Sequence, residues 1–259
     1  MPLYGLGPEA RTRSDRTRFD VRQSFTTATL AVRPWRGALA LHGSAGYARV
    51  EQAVAPDSAF AQRYQRQPLP GLGATIDYLH SHGGVAFDWR PDAGYARRGG
   101  AYGVTLSRFD DRRGPYSFRQ VDYDVVQHLP LFRDAWVLSL RGRAETTTAS
   151  AGEAVPFFMM PSLGNGTTLR GFTSGRFRDR HSLLLSGEWR VLLNSVVDAA
   201  VFYDAGKVAA RRRDLDTRNL ERSYGLGFRF HTLSATPFRL DLARSREGIV
   251  LVVGATAAF

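Results

Sequence analysis

The chain has no cysteine, which excludes a disulfide framework and a thiolate metal site. No run reaches 18 apolar residues, so no helix can cross a membrane. No helical period persists over any long segment, and there is no sequence repeat of 20–50 residues and no internal domain boundary. GxSxG, HExxH and GxxxxGK[ST] are all absent, so no hydrolytic or phosphate-cradling site stands out, and no cofactor is expected. The six histidines are scattered. His80 and His82 share one strand face, but polar wall positions account for them and no metal site is assigned. Met1–Arg18 lacks the basic start, apolar core and small-residue cleavage site of a signal peptide.

The net charge of +11 invites a nucleic-acid reading. The arginines argue against one, because they are spread through loops and polar strand faces rather than gathered in a stripe. An RNP1-type aromatic strand and zinc-finger spacing are also missing. No nucleic-acid partner is expected.

What is present is alternation. The chain has 259 residues, 43% of them hydrophobic and 12% aromatic, a size that suits one large β domain spanning 1–259. Period-two patterns predict strands over Phe19–Val32, Ala38–Val50, Thr75–Trp89, Ala101–Phe109, Phe118–Leu129 and Ala135–Thr147. Five more follow: Ser182–Leu193, Val196–Val208, Arg222–Thr232, Pro237–Ala243 and Ile249–Phe259. Ala53–Gly73 and Ala209–Glu221 read as longer loops, and Asn194-Ser195 and Gly248 as short turns on one rim.

One face of these strands is apolar, with Trp89, Trp136, Trp189, Tyr203, Tyr224 and Phe259 near strand ends. The other carries Asp88, Arg141, Arg143, Glu188, Arg190, Asp204, Arg229, Arg239 and Asp241. A soluble barrel would bury those charges at large cost. In a membrane barrel they line a wet lumen, while the aromatics suit the headgroup zones. The fold expected is therefore an all-β, transmembrane antiparallel barrel with about 11–12 strands in this chain. A mean hydropathy of −0.27 is compatible with it, since half of each strand and the loops are polar. Bacterial single-chain barrels have even strand numbers. The odd count and the missing leader give the expectation that the chain lacks its first strands, as the C-terminal part of a barrel of about 16 strands would.

The segment Thr148–Arg180 is too long for a plain connector. It contains Leu169-Arg170-Gly171-Phe172, then Arg176-Phe177-Arg178-Asp179, and leads into Glu188-Trp189-Arg190 and Val201-Phe202-Tyr203-Asp204-Ala205-Gly206-Lys207-Val208. With Tyr4-Gly5-Leu6-Gly7-Pro8 and the terminal Phe259, these stretches resemble the Omp85 superfamily, the BamA/TamA-like outer-membrane barrels (bacterial surface antigen D15). The resemblance is strongest over Tyr123–Phe259.

It implies that the long loop folds into the barrel and that Arg170 contacts the inward carboxylates Glu188 and Asp204. It implies that Tyr4–Pro8 lies inside the barrel and that Phe259 serves as a C-terminal barrel signal. It further implies the bacterial outer membrane, outer-membrane lipid and client polypeptides as partners, and assistance to polypeptide insertion or translocation. The family's periplasmic POTRA domains have no counterpart here. The alternative is a passive pore or structural barrel without insertase activity.

Overall fold

A computed structural model describes residues 2–7, 17–34, 37–53, 64, 69–132 and 135–258. One antiparallel sheet of eleven strands dominates it. In chain order they are β1 (Asp20–Val32), β2 (Leu39–Ala53), β3 (Thr75–Asp88), β4 (Gly99–Asp111), β5 (Phe118–Phe132) and β6 (Trp136–Ala149). Then come β7 (His181–Asn194), β8 (Val197–Ala209), β9 (Glu221–Phe230), β10 (Phe238–Ser245) and β11 (Gly248–Gly254). Each strand pairs with its chain neighbours, so the sheet is a simple meander. All eleven expected strands are present. The last is shorter than the expected Ile249–Phe259, and Phe259 lies outside the described residues.

Meander order alternates the rims. The β7–β8 turn therefore lies at the opposite rim from the β10–β11 turn, since three strands separate them. This corrects the expectation that Asn194-Ser195 and Gly248 share a rim. The β10–β11 turn sits instead with the 150–180 and 210–220 connections, and their side is called the long-loop rim below.

The two faces differ as alternation requires. Trp89, Trp136, Trp189, Tyr203 and Tyr224 are exposed, together with Leu185, Val201, Leu226 and Leu251. A contiguous apolar exterior of this extent is foreign to a soluble monomer and is what a lipid-facing wall needs. On the opposite face Glu188, Arg190, Asp204, Arg229, Arg239 and Asp241 are buried.

The sheet curls around its charged face. Gly94, in the β3–β4 turn, forms a bridge with Ala235 in the β9–β10 turn, although five strands lie between β3 and β9. The outermost strands are not paired with each other among the described residues. The edge β1 has 13 residues and β11 has 7.

Candidate functional site in the lumen

The connection between β6 and β7 runs inward and packs on two walls of the lumen. Its first part holds a 3-10 turn, Phe157–Met159. Phe157 is fully buried and meets Phe19 edge-to-face at 4.8 Å, in a cluster with Val50, Ile76, Tyr78 and Phe118 from β2, β3 and β5. Arg178 crosses beneath this turn, and its Nη1 donates to the carbonyls of Phe157, Phe158 and Met160 at 3.1–3.3 Å. The second part is pinned by a short ladder of Ser162–Leu163 with Phe177–Arg178. Leu163, Leu169, Phe172 and Phe177 form an apolar cluster against Leu184 and Val208 of β7 and β8. One connection thus ties opposite sides of the curled sheet together by burying apolar surface, the main favourable term available to it.

Leu169-Arg170-Gly171-Phe172 is the innermost turn of this segment. The Phe172 N–H donates to the Leu169 carbonyl at 3.2 Å, closing the turn. Gly171 has φ +120°, a region L side chains rarely adopt. A Cβ there would stand 3.2 Å from the Cβ atoms of Ser223 and Ser245, so the wall would have to give way by a few tenths of an ångström. The Gly171 carbonyl accepts from Ser245 Oγ at 2.7 Å.

This turn aims Arg170 at carboxylates on three strands, β7, β8 and β10. Its Nε and Nη2 donate to the two oxygens of Asp204 on β8 at 2.8 and 2.9 Å, and its backbone N–H donates to the same group at 3.1 Å. Nη1 donates to Glu188 on β7 at 2.7 Å. Asp241 on β10 lies 3.9 Å from Nη1. The guanidinium is 3.6 Å from the centroid of the Phe202 ring, a cation–π contact. Every charged member is almost fully buried.

Two wall arginines complete the charge balance. Arg229 donates to both oxygens of Glu188 at 3.1 and 2.6 Å and pairs with Asp241 at 2.6 Å. Arg239 donates to Asp241 at 2.9 Å. Three cations therefore face three carboxylates, the condition under which buried charge is tolerated. Burial alone would lower the Arg170 pKa, but Asp204 and Glu188 outweigh it and the net shift is upward. The cluster holds charge rather than moving protons: its arginines do not titrate near neutral pH. No group of three or more His, Cys, Asp or Glu suited to a metal occurs among the described residues.

The N-terminal segment joins the plug. Tyr4 is buried and shares a hydrogen bond with Thr173 at 2.8 Å, and the Arg176 guanidinium lies over its ring at 4.9 Å. The Gly7 N–H donates to the Arg178 carbonyl at 2.9 Å, while Pro8 lies outside the described residues. Arg176 also pairs with Glu247 in the β10–β11 turn.

At the other rim the β3–β4 turn reaches inward. Tyr95 is buried and stacks on His231 at 3.8 Å. Its hydroxyl donates to Asp198 of β8 at 3.0 Å. Arg97 pairs with the same carboxylate at 3.4 Å, and Arg190 of β7 donates to the Ala96 carbonyl. Thr236 Oγ1 donates to the Gly94 carbonyl at 2.9 Å. Sequence reasoning assigned no role to this strap. It also missed Asp241 and Phe202 as neighbours of the motif arginine and Arg229 as a second cation on Glu188, although alternation placed Asp241 and Arg229 on the lumen face.

Comparison with known proteins follows the same lines. The family model described as the Omp85 superfamily domain matches residues 34–247. A crystal structure of BamA from Haemophilus ducreyi lacking POTRA domains 1–3 is similar in fold, with a TM-score of 0.70 and 16% identity. The match covers 91% of this chain and 55% of that one, so the chain spans about half the length of that relative. No curated protein matches.

Proposed function

This chain belongs to the Omp85 superfamily, and from that premise we propose that it acts at the bacterial outer membrane, assisting insertion or translocation of polypeptides. The observation that carries the proposal is the edge of β1, which has no strand partner among the described residues. Among the described residues that strand, 13 residues long, pairs on one side only and is exposed along nearly its whole length. An unpaired strand edge is a template on which an incoming β-strand can form main-chain hydrogen bonds. A client strand entering there would meet lipid on one side and the lumen on the other, as a nascent barrel strand requires.

Within this reading, residues 150–180 plug the lumen at the long-loop rim, and Arg170 with Glu188 and Asp204 fixes the plug while the edge does its work. Longer loops mark the extracellular side of such barrels, which sets the orientation.

The absence of cysteine makes a direct test clean. Single cysteines at Gln23, Phe25 and Thr27 of β1 are paired with single cysteines along a peptide carrying the last strand of an outer-membrane barrel. Register-specific disulfides on β1 and faster folding of a client barrel in proteoliposomes are expected. Equal cross-linking at surface cysteines away from β1, with no acceleration of folding, would favour a passive barrel instead.

A further inference from the structure

The outer, lipid-facing wall carries charge at one rim only. On this face, the half of each strand nearer the short-turn rim holds no charged residue among those described. Toward the long-loop rim the same face carries arginines in cross-strand pairs. Arg108 of β4 stands directly opposite Arg119 of β5, in line with Leu106 and Val121 below them. Arg222 of β9 lies diagonally across from Arg244 of β10, whose register partner is Tyr224. Arg22 and Arg49 flank Glu51 on β1 and β2. All six are exposed.

Like charges directly opposite on a sheet face are destabilising. Arg108 is partly offset by Asp110, at 2.7 Å. No carboxylate partners Arg119, Arg222 or Arg244 among the described residues. Arg108 and Arg119 border a cavity of about 360 Å³ that is also lined by Ser117, Thr148 and Ser150, with Asp110 and Glu153 on its wall. Such an arrangement asks for an anion from outside the chain.

We propose that this outer arginine belt binds the phosphate groups of anionic lipid headgroups in the leaflet that meets the long-loop rim. Position selects a lipid over a soluble anion. Leu106 and Tyr224 are exposed lipid-facing side chains, and Arg108 and Arg222 lie two residues beyond them, about 7 Å further along the strand. Their stems run along the apolar wall while the heads reach the headgroup zone. Chemistry selects phosphate, because the planar guanidinium fork matches its oxygens two at a time. Paired forks from adjacent strands suit a headgroup with more than one phosphate. The belt also fixes the barrel's depth and orientation, since the uncharged half can slide in lipid and the charged half cannot.

The test titrates the purified full chain in a non-ionic detergent with lipid A, phosphatidylglycerol or phosphatidylcholine, and counts bound lipid by native mass spectrometry. Lipid A should bind best and phosphatidylcholine least. R108Q/R119Q/R222Q/R244Q should weaken lipid A binding by roughly five-fold or more, as loss of several charge-assisted contacts implies. The loop variant R211Q/R213Q should bind as the native chain does. Equal loss in the loop variant, or equal binding of phosphatidylcholine by the native chain, overturns the proposal. Should the quadruple variant fail to fold, R108Q/R119Q and R222Q/R244Q are read separately, each expected to weaken binding. Lipid A binding by the native chain that ignores ionic strength overturns it as well.

Discussion

Asp204 receives three hydrogen bonds from one loop residue, Arg170: from the backbone N–H, from Nε and from Nη2, at 2.8–3.1 Å. The side-chain pair is bidentate and the backbone bond fixes the turn that presents it. A single wall carboxylate thereby sets both the position and the direction of the loop tip.

Arg170→Ala should release that tip. It leaves Asp204 buried without its partner, and breaking one side of a buried pair costs about 3–5 kcal/mol. The cost falls on the loop, because the strand ladders of β7 and β8 are untouched. Limited trypsinolysis should cut within residues 150–180 much faster than in the native chain, while the unboiled gel band of a folded barrel persists. Arg170→Lys should restore little, since one ammonium cannot bond Asp204 twice and Glu188 once. A loop that stays resistant in both variants would show that its apolar packing alone holds it.

Asp204→Asn and Glu188→Gln should differ in reach. Among the described residues Asp204 is paired with Arg170 alone, whereas Glu188 is shared between Arg170 and Arg229. The first change should loosen the loop only. The second should also lower the thermal midpoint of the barrel, because Arg229 loses its bidentate partner inside the wall. A double-mutant cycle of Arg170→Ala with Asp204→Ala should give a coupling of about 1–3 kcal/mol, as residues in one buried network do.

Much of this was legible in the residues. Alternation located all eleven strands, because a wall between lipid and lumen forces period two on every strand. It also put Glu188, Asp204 and Asp241 on one face. The choice of partner for Arg170 depended on register, which brings β7, β8 and β10 residues to one height and which no single strand reveals. Phe202 was hidden for a related reason: an apolar residue on the polar face reads as noise until the guanidinium above it is seen. The strap at Tyr95 was illegible because its contacts are with His231, Asp198 and Thr236, more than a hundred residues away.

Gly171→Ala is a test of geometry without charge. The added Cβ meets Ser223 and Ser245 at 3.2 Å from a φ of +120°, a strain of order 1–3 kcal/mol. Protease sensitivity of the loop should rise toward that of Arg170→Ala although every charge remains. Unchanged resistance would mean that the turn relaxes without moving Arg170.

Unrelated segments reach into the lumen at its two rims, and conductance tests whether each of them seals it. Residues 150–180 pack against the inner wall from one end, and the Tyr95 strap reaches inward at the other, held by stacking on His231 and by Asp198. Burial first, then the Asp198 charge, push the Tyr95 phenol up to about 12, so it remains a donor across neutral pH. Among the described residues the strap and the Arg170 turn share no hydrogen bond, so loosening one should leave the other seated. Plugs in series give a path only when both are open. In planar bilayers Arg170→Ala alone and Tyr95→Ala alone should therefore conduct little more than the native barrel. The combined variant should conduct well beyond the sum of the two increments. A large conductance from Arg170→Ala by itself would show that the strap does not seal its rim, and that the loop is the sole barrier along the lumen.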